Sequence, residues 1–213
     1  MTSLATNQND RGNLHEIGRR ERNKRAKKAR ILKAARELFD KQGFAETTTS
    51  EIAEAADIGT GTLFLYARSK EDLLVLVFKD EMVAAAQELF AHLPRRASPV
   101  TQMMSVFKGM FDYHSQNIEL SQILLRELVI PSSSERTAEI DELLDVIRGG
   151  LAGIARQACG AANADPELTA RSAFAIYYYS LISWIGGAAQ QTESLALLRR
   201  QLSALLGQEN KRA

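Results

Sequence analysis

The chain has a single cysteine, Cys159, among its 213 residues. An internal disulfide is therefore impossible, and the expected compartment is the reducing cytosol. Beside Gly160, Cys159 reads as a small buried hydrophobe. The three histidines, His15, His92 and His114, are far apart in sequence, and no metal-ligand spacing can be built from them. No run of about 18 or more apolar residues occurs, so no membrane-spanning helix is expected. The opening MTSLATNQNDRGNLHEIGRR lacks the apolar core of a secretory signal. There is no G-x-S-x-G, no P-loop and no dinucleotide fingerprint. Alternating strand patterns of useful length and internal repeats are also missing. Acidic neighbours such as Asp141 and Glu142 fit a solvated helix face. The expectation is a protein without cofactor, metal or catalytic constellation, and not an enzyme.

What is present is length enough for one or two domains with a sizeable core, at 45% apolar content. The net charge of +1 conceals an asymmetry. Residues 1–70 hold 14 Lys/Arg against 9 Asp/Glu, and residues 71–213 hold 13 against 17. Only the first part is expected to meet a polyanion. Residues 19–33 carry nine cations and one acid, Glu21. Such a run can be a solvated helix face. Ahead of the stretch that follows, phosphate contact is the better reading, with Arg25 and Lys28 as candidates. The more N-terminal arginines suit a flexible arm entering a minor groove.

The chain is organised around Thr48–Lys70, TTSEIAEAADIGTGTLFLYARSK. Thr48 and Glu51 have capping-box spacing, which starts a helix. Ile52, Ala53 and Ala56 share one face of it. Asp57-Ile58-Gly59 breaks it, because Asp tolerates and Gly59 freely adopts the left-handed conformation of a tight turn. Gly61–Tyr66 then makes a second short helix with Leu63 turned inward. Ser69-x-x-Asp72 has the spacing of another capping box and opens a long helix. Two short helices joined by a tight turn form a helix-turn-helix, whose second helix can enter the DNA major groove. Its candidate DNA face is Thr60, Gly61, Thr62, Phe64, Leu65 and Tyr66, with Thr48 and Ser50 on the preceding helix and Lys70 beyond. The threonines offer hydroxyls and methyls to base edges or phosphates.

Residues 24–82 carry Leu38-Phe39-x-x-x-Gly43-Phe44, Thr47-Thr48, Ile52-Ala53-x-x-Ala56, Gly61-Thr62-Leu63, Tyr66 and Ser69-Lys70-Glu71-Asp72-Leu73. This ordered set resembles the DNA-binding domain of the TetR family of bacterial transcriptional regulators. The resemblance implies that Thr62, Tyr66 and Lys70 contact DNA and that Ser50 approaches it. Gly59, Phe64 and Ala67 depart from the family pattern, which has a side-chain cap, a Tyr and a Phe there. Asp57 stands where the turn often has Gly.

The remaining pattern is helical. Residues 1–18 are polar and unpatterned, and disorder is expected there. Helices are expected over about 21–42, 69–92, 100–117, 119–129, 137–158, 166–186 and 194–206. Loops are expected at Leu93-Pro94-Arg95-Arg96-Ala97-Ser98-Pro99 and at Pro131-Ser132-Ser133-Ser134. Asp165-Pro166 is a helix start. The fold class is all-α, with a helix-turn-helix domain over 19–70 and a helical ligand-binding and dimerisation domain over 71–213. Met103, Met104, Phe107, Met110, Phe111, Tyr113 and His114 cluster on one helix, and Phe174, Tyr177, Tyr178, Tyr179 and Trp184 on another. Such stripes are more often plain core than cavity. The family resemblance raises the second possibility, because these regulators sense small apolar or amphipathic molecules between such helices. The candidate ligand contacts are Phe78, Met82, Met103, Phe107, Met110, His114, Tyr177 and Tyr178. Apolar stripes through Trp184, Leu195, Leu198, Leu202 and Leu205 suit either internal packing or a two-fold interface.

These features lead to a homodimeric repressor that binds double-stranded DNA at a palindromic operator and is released by a small molecule. Ligand would tilt the long helix over 69–92 and change the separation of the recognition helices. Two alternatives stay open. One is a ligand-independent or architectural DNA binder with a filled core. The other is a helical enzyme or carrier with an incidental basic N-terminus.

Overall fold

The computed structural model describes the backbone of residues 8–129, 134–158 and 165–207, and the side chains of 18–126, 140–157 and 165–207. Cys159, residues 1–7 and the loop residues 131–133 lie outside the described residues. All regular elements among the described residues are helices: α1 Gln8–Gln42, α2 Thr49–Ala55, α3 Thr60–Leu63, α4 Lys70–Ala91, α5 Pro99–Ser115, α6 Ile118–Val129, α7 Ser134–Ala158, α8 Pro166–Ile185 and α9 Gln191–Leu205. The chain divides into two compact units, Met1–Val77 and Phe78–Ala213. The division falls within α4. The architecture is all-α, with an N-terminal helix-turn-helix domain followed by a helical domain.

In the first unit, Ile31, Ala35 and Phe39 form the inner stripe of α1. Ile52 and Ala53 of α2, Leu63 of α3 and Leu73 of α4 are buried as well, with α1 packed on α2 and α2 on α3. Full burial of side chains such as Ile31, Ile52 and Leu63 contributes about 1.5–3 kcal/mol each. Gly43, at φ 83, ends α1 in the left-handed conformation. The chain then folds back, placing the Phe44 ring 5.2 Å from that of Phe39. The buried Thr47 secures this corner by donating to the Gly43 carbonyl at 2.7 Å.

The α2 cap forms as expected. The Glu51 amide donates to Thr48 Oγ1 at 3.2 Å, and Glu51 Oε2 accepts from the Thr48 amide at 2.8 Å. The turn after α2 differs from expectation in one detail. Asp57, at φ 53, takes the left-handed position. The Ile58 amide donates to Ala53 O at 3.0 Å and the Asp57 amide to Glu54 O at 3.0 Å. This is a Schellman closure, which needs its left-handed residue directly after the C-cap, at Asp57. Gly59 is instead extended, at φ −72 and ψ 146, and serves as the N-cap of α3.

Two helix starts also differ. α1 begins at Gln8, well before the expected residue 21. The added segment is polar and shows no apolar period, but lengthening an existing helix avoids the cost of nucleation. α9 begins at Gln191, where the Gln190 amide donates to Glu193 Oε2 at 3.2 Å. At the start of α4, the Asp72 amide donates to Ser69 Oγ as expected, but the Asp72 carboxylate accepts from the Arg68 amide, one residue before the cap.

In the second unit, α8 packs against α7 and α9, and α5 against α7 and α9. Phe107, Phe111, Met103, Ile147, Leu151 and Tyr177 are nearly inaccessible. The end of α4 nests on two glycines. A Cβ at Gly109 would collide with the Leu89 side chain, and one at Gly150 with the Phe90 ring. Two polar ties join α4 to its neighbours. The Tyr113 hydroxyl on α5 donates to Glu81, and the buried Lys79 pairs with Glu142 on α7 at 2.7 Å. The Asp165 cap of α8 accepts from the Glu167 amide at 2.9 Å, ahead of Pro166 in the first turn.

Candidate nucleic-acid interface and internal cavity

α3 holds itself to the core through Leu63 alone, which is fully buried. The residues around it face outward. Gly61, Phe64 and Leu65 are exposed, Leu65 to 83%, and Thr60, Thr62 and Tyr66 are half-buried. A Cβ built on Gly61 meets nothing within 4 Å. The chain's own packing therefore gives no reason for glycine at that position. Ser50 is exposed on the first turn of α2, Arg25 is exposed on α1, and Lys28 is half-buried.

Thr48 and Lys70 have structural employment. Thr48 is exposed, but its hydroxyl donates to Glu51 Oε2 at 2.8 Å. The hydrogen bonds from Thr48, backbone first, hold the Glu51 carboxyl below the usual carboxylate range. The Lys70 ammonium donates to Phe44 O at 2.6 Å and Ala45 O at 3.0 Å, and lies 4.5 Å from the centre of the Phe44 ring. It clamps the loop between α1 and α2, which leaves one of its three N–H donors for a phosphate.

The second unit contains a partly open cavity of about 300 Å³. Its walls are Phe78 and Met82 of α4, Met110 and His114 of α5, and Leu125 of α6. Ile140, Leu143, Leu144 and Ile147 of α7, with Phe174, Tyr177, Tyr178 and Leu181 of α8, complete them. Six of the expected ligand contacts are brought together here: Phe78, Met82, Met110, His114, Tyr177 and Tyr178. Met103 and Phe107 are not among the lining residues. Both are fully buried in the core, and Phe107 stacks on Tyr177 at 4.6 Å and 8°, filling space that a ligand would need. The contribution of α7 went unanticipated, because a Leu/Ile stripe at helical spacing has the same pattern as ordinary core.

Among the described residues the lining carries no charged side chain. His114 is buried, and its Nδ1 lies 3.0 Å from Ser121 Oγ. Ser121 donates its one hydroxyl proton to the His114 carbonyl at 3.2 Å, capping an otherwise unmatched acceptor in the last turn of α5. With the serine proton placed there, Nδ1 is the donor to Ser121, and in that tautomer Nε2 is an unprotonated acceptor. Burial lowers the His114 pKa to about 4, so the ring is neutral near pH 7. The Tyr177 hydroxyl is buried with no hydrogen-bond partner. Burial, aided by the neighbouring Tyr178, raises its pKa and keeps it a donor.

The stripe expected at a two-fold interface splits in two. Leu198 and Leu202 are completely inaccessible inside the unit and have no area to give a partner. Their side chains fall on the inner face of α9, as Phe111 holds Trp184 inward by stacking at 5.1 Å and 15°. Leu195 and Leu205 are half-buried. The exposed large apolar side chains of this pair of helices are Leu168, Tyr179 and Ile182 on α8 and Leu197 on α9.

A short helix-turn-helix presented beside a cationic helix, followed by a helical unit around a cavity, defines a DNA-binding protein of the two-unit regulator class. Residues 31–77 match the family model described as bacterial regulatory proteins, tetR family. The fatty acid metabolism regulator protein of Bacillus subtilis is 28% identical over 121 residues, covering 57% of this chain and 62% of its own length. The transcriptional repressor KstR of Mycobacterium tuberculosis is 24% identical over 186 residues, covering 87% of this chain and 83% of its own. The crystal structure of Thermus thermophilus FadR, a TetR-family transcriptional repressor in complex with lauroyl-CoA, superimposes with a TM-score of 0.66 at 26% identity. That match covers 87% of this chain and 96% of the other. Over residues 31–77 the chain thus carries a segment of the tetR family of bacterial regulatory proteins. Among its described residues, no helix is long and apolar enough to cross a membrane.

Proposed function

We propose that this protein is a sequence-specific transcriptional regulator, a repressor that binds a palindromic operator as a homodimer and is released by a small apolar or amphipathic molecule. No enzymatic activity is part of this reading. The observation that carries it is the course of α4. Phe78 and Met82 of this helix stand in the cavity wall, and the same helix begins at Lys70, the clamp on the α1–α2 loop. A ligand that fits a shifted α4 better than the present one draws the population toward a state in which the recognition helices no longer match both half-sites. The lauroyl-CoA held by the Thermus thermophilus relative supports an effector with a long apolar body.

On DNA, Thr60, Thr62, Phe64 and Tyr66 face the major groove, and Gly61 lets the backbone approach it. Ser50 and Thr48 lie beside the groove. Arg25 and Lys28 meet phosphates, and Lys70 adds one donor beyond its two loop contacts. Tyr179, Ile182 and Leu197, with Trp184, Leu195 and Leu205 behind them, form the two-fold face. The test is reciprocal linkage. Ligand affinity is measured by calorimetry with and without operator DNA, and operator affinity with and without ligand. Both ratios are expected to be equal, and equal ligand affinity in the two states would sink the release mechanism.

A further inference from the structure

The cavity of the second unit restricts the chemistry of what can fill it. Its volume, about 300 Å³, matches on the order of ten heavy atoms at liquid density, near 30 Å³ each. Among the described residues its wall is aliphatic and aromatic, with neither an acid nor a base that is charged near pH 7. A carboxylate or phosphate lodged inside would lose its hydration and gain no countercharge from the described residues, a combination that strongly disfavours entry. The lining is nonetheless equipped for one kind of polar group. The Tyr177 hydroxyl is a buried donor without a partner. His114 Nε2 is an acceptor, because Nδ1 spends its proton on Ser121.

We infer that the group lodged in this cavity is uncharged and carries a hydroxyl on a saturated or aromatic body of about ten heavy atoms, which accepts from Tyr177 and donates to His114. A hydroxyl both gives and takes a hydrogen bond. It can therefore pair with both lining groups, whereas an ester or thioester carbonyl can serve only Tyr177 and an alkyl chain serves neither. The inference rests on reading the cavity as an effector site, and it narrows the effector class.

The test uses the full-length, DNA-free protein and three probes of one chain length: decanol, methyl decanoate and decanoate. Affinities are measured by calorimetry near pH 7.5. Decanol is expected to bind at least about tenfold more tightly than decanoate, with the methyl ester between them. Tyr177→Phe and His114→Phe are each expected to weaken decanol about two- to tenfold and to leave the methyl ester, for His114→Phe, unchanged. Tyr177→Phe removes only an unpartnered hydroxyl, so it keeps the test open even if His114→Phe fails to fold. Decanoate binding as tightly as decanol, absence of binding by every probe, or an unchanged decanol affinity in Tyr177→Phe would each overturn the inference. Decanol that binds as described without releasing operator DNA supports the inference while contradicting the proposed release mechanism. Release by decanoate in preference to decanol does the opposite.

Discussion

Acidification should destabilise this protein in part through one buried side chain, His114. Burial lowers its pKa from 6.5 to about 4. Between those values the unfolded chain binds a proton that the folded chain refuses, so stability falls as the pH falls through that window. The contribution is fully present above about pH 6.5 and fully lost below about pH 4. At 1.36 kcal/mol per pKa unit, the whole window amounts to about 3 kcal/mol. By about pH 5, roughly 2 kcal/mol of it has gone, whereas near pH 7.5 almost none has. The assay is urea unfolding of the wild type and His114→Gln at both pH values. Carboxylates titrate equally in the two proteins and cancel in the difference. The variant should be less stable near pH 7.5, having lost the Ser121 contact, yet lose about 2 kcal/mol less on acidification. Parallel losses in the two proteins would refute the assignment of a neutral, desolvated imidazole.

Other expectations concern backbone and packing. Asp57→Gly should stabilise the protein by about 0.5–1 kcal/mol in thermal unfolding, because glycine relieves the left-handed strain. The Arg30 contact it removes, at 3.6 Å and largely exposed, is worth little. Gly150→Ala should destabilise by about 1–3 kcal/mol, since the added methyl meets the Phe90 ring. Gly153→Ala, on the same helix with nothing within 4 Å, should instead be neutral or stabilising by up to about 1 kcal/mol. Thr48→Ala removes the cap of α2 and should cost about 1 kcal/mol in urea unfolding.

The helix-turn-helix was legible because its instructions are local. Thr48 and Glu51 cap within four residues, Leu63 is the lone apolar anchor of α3 facing the core, and Asp165-Pro166 starts α8 at the expected position. What escaped was set by three-dimensional neighbours. The polar segment before residue 21 continues α1 because the helix behind it is already nucleated. The preference for Asp57 over Gly59 as the left-handed residue depends on where the C-cap falls, one residue of register. In the cavity, Met110, His114, Phe174, Tyr177 and Tyr178 belonged to recognisable Met and aromatic clusters, but Leu143, Leu144 and Ile147 read only as core. Sequence periodicity gives a helix face; it does not say whether that face closes on a neighbour, as at Phe107 and Leu198, or on empty space.

The most direct measurement of the central claim is a binding selection on randomised duplex DNA with the purified protein at physiological salt. The account predicts an enriched palindrome, with half-sites about one helical turn or a multiple apart. Thr62→Ala should change the enriched bases, and Arg25→Ala should lower the salt slope by about one without changing them. Salt-sensitive binding with no enriched sequence, or no binding at all, would contradict it.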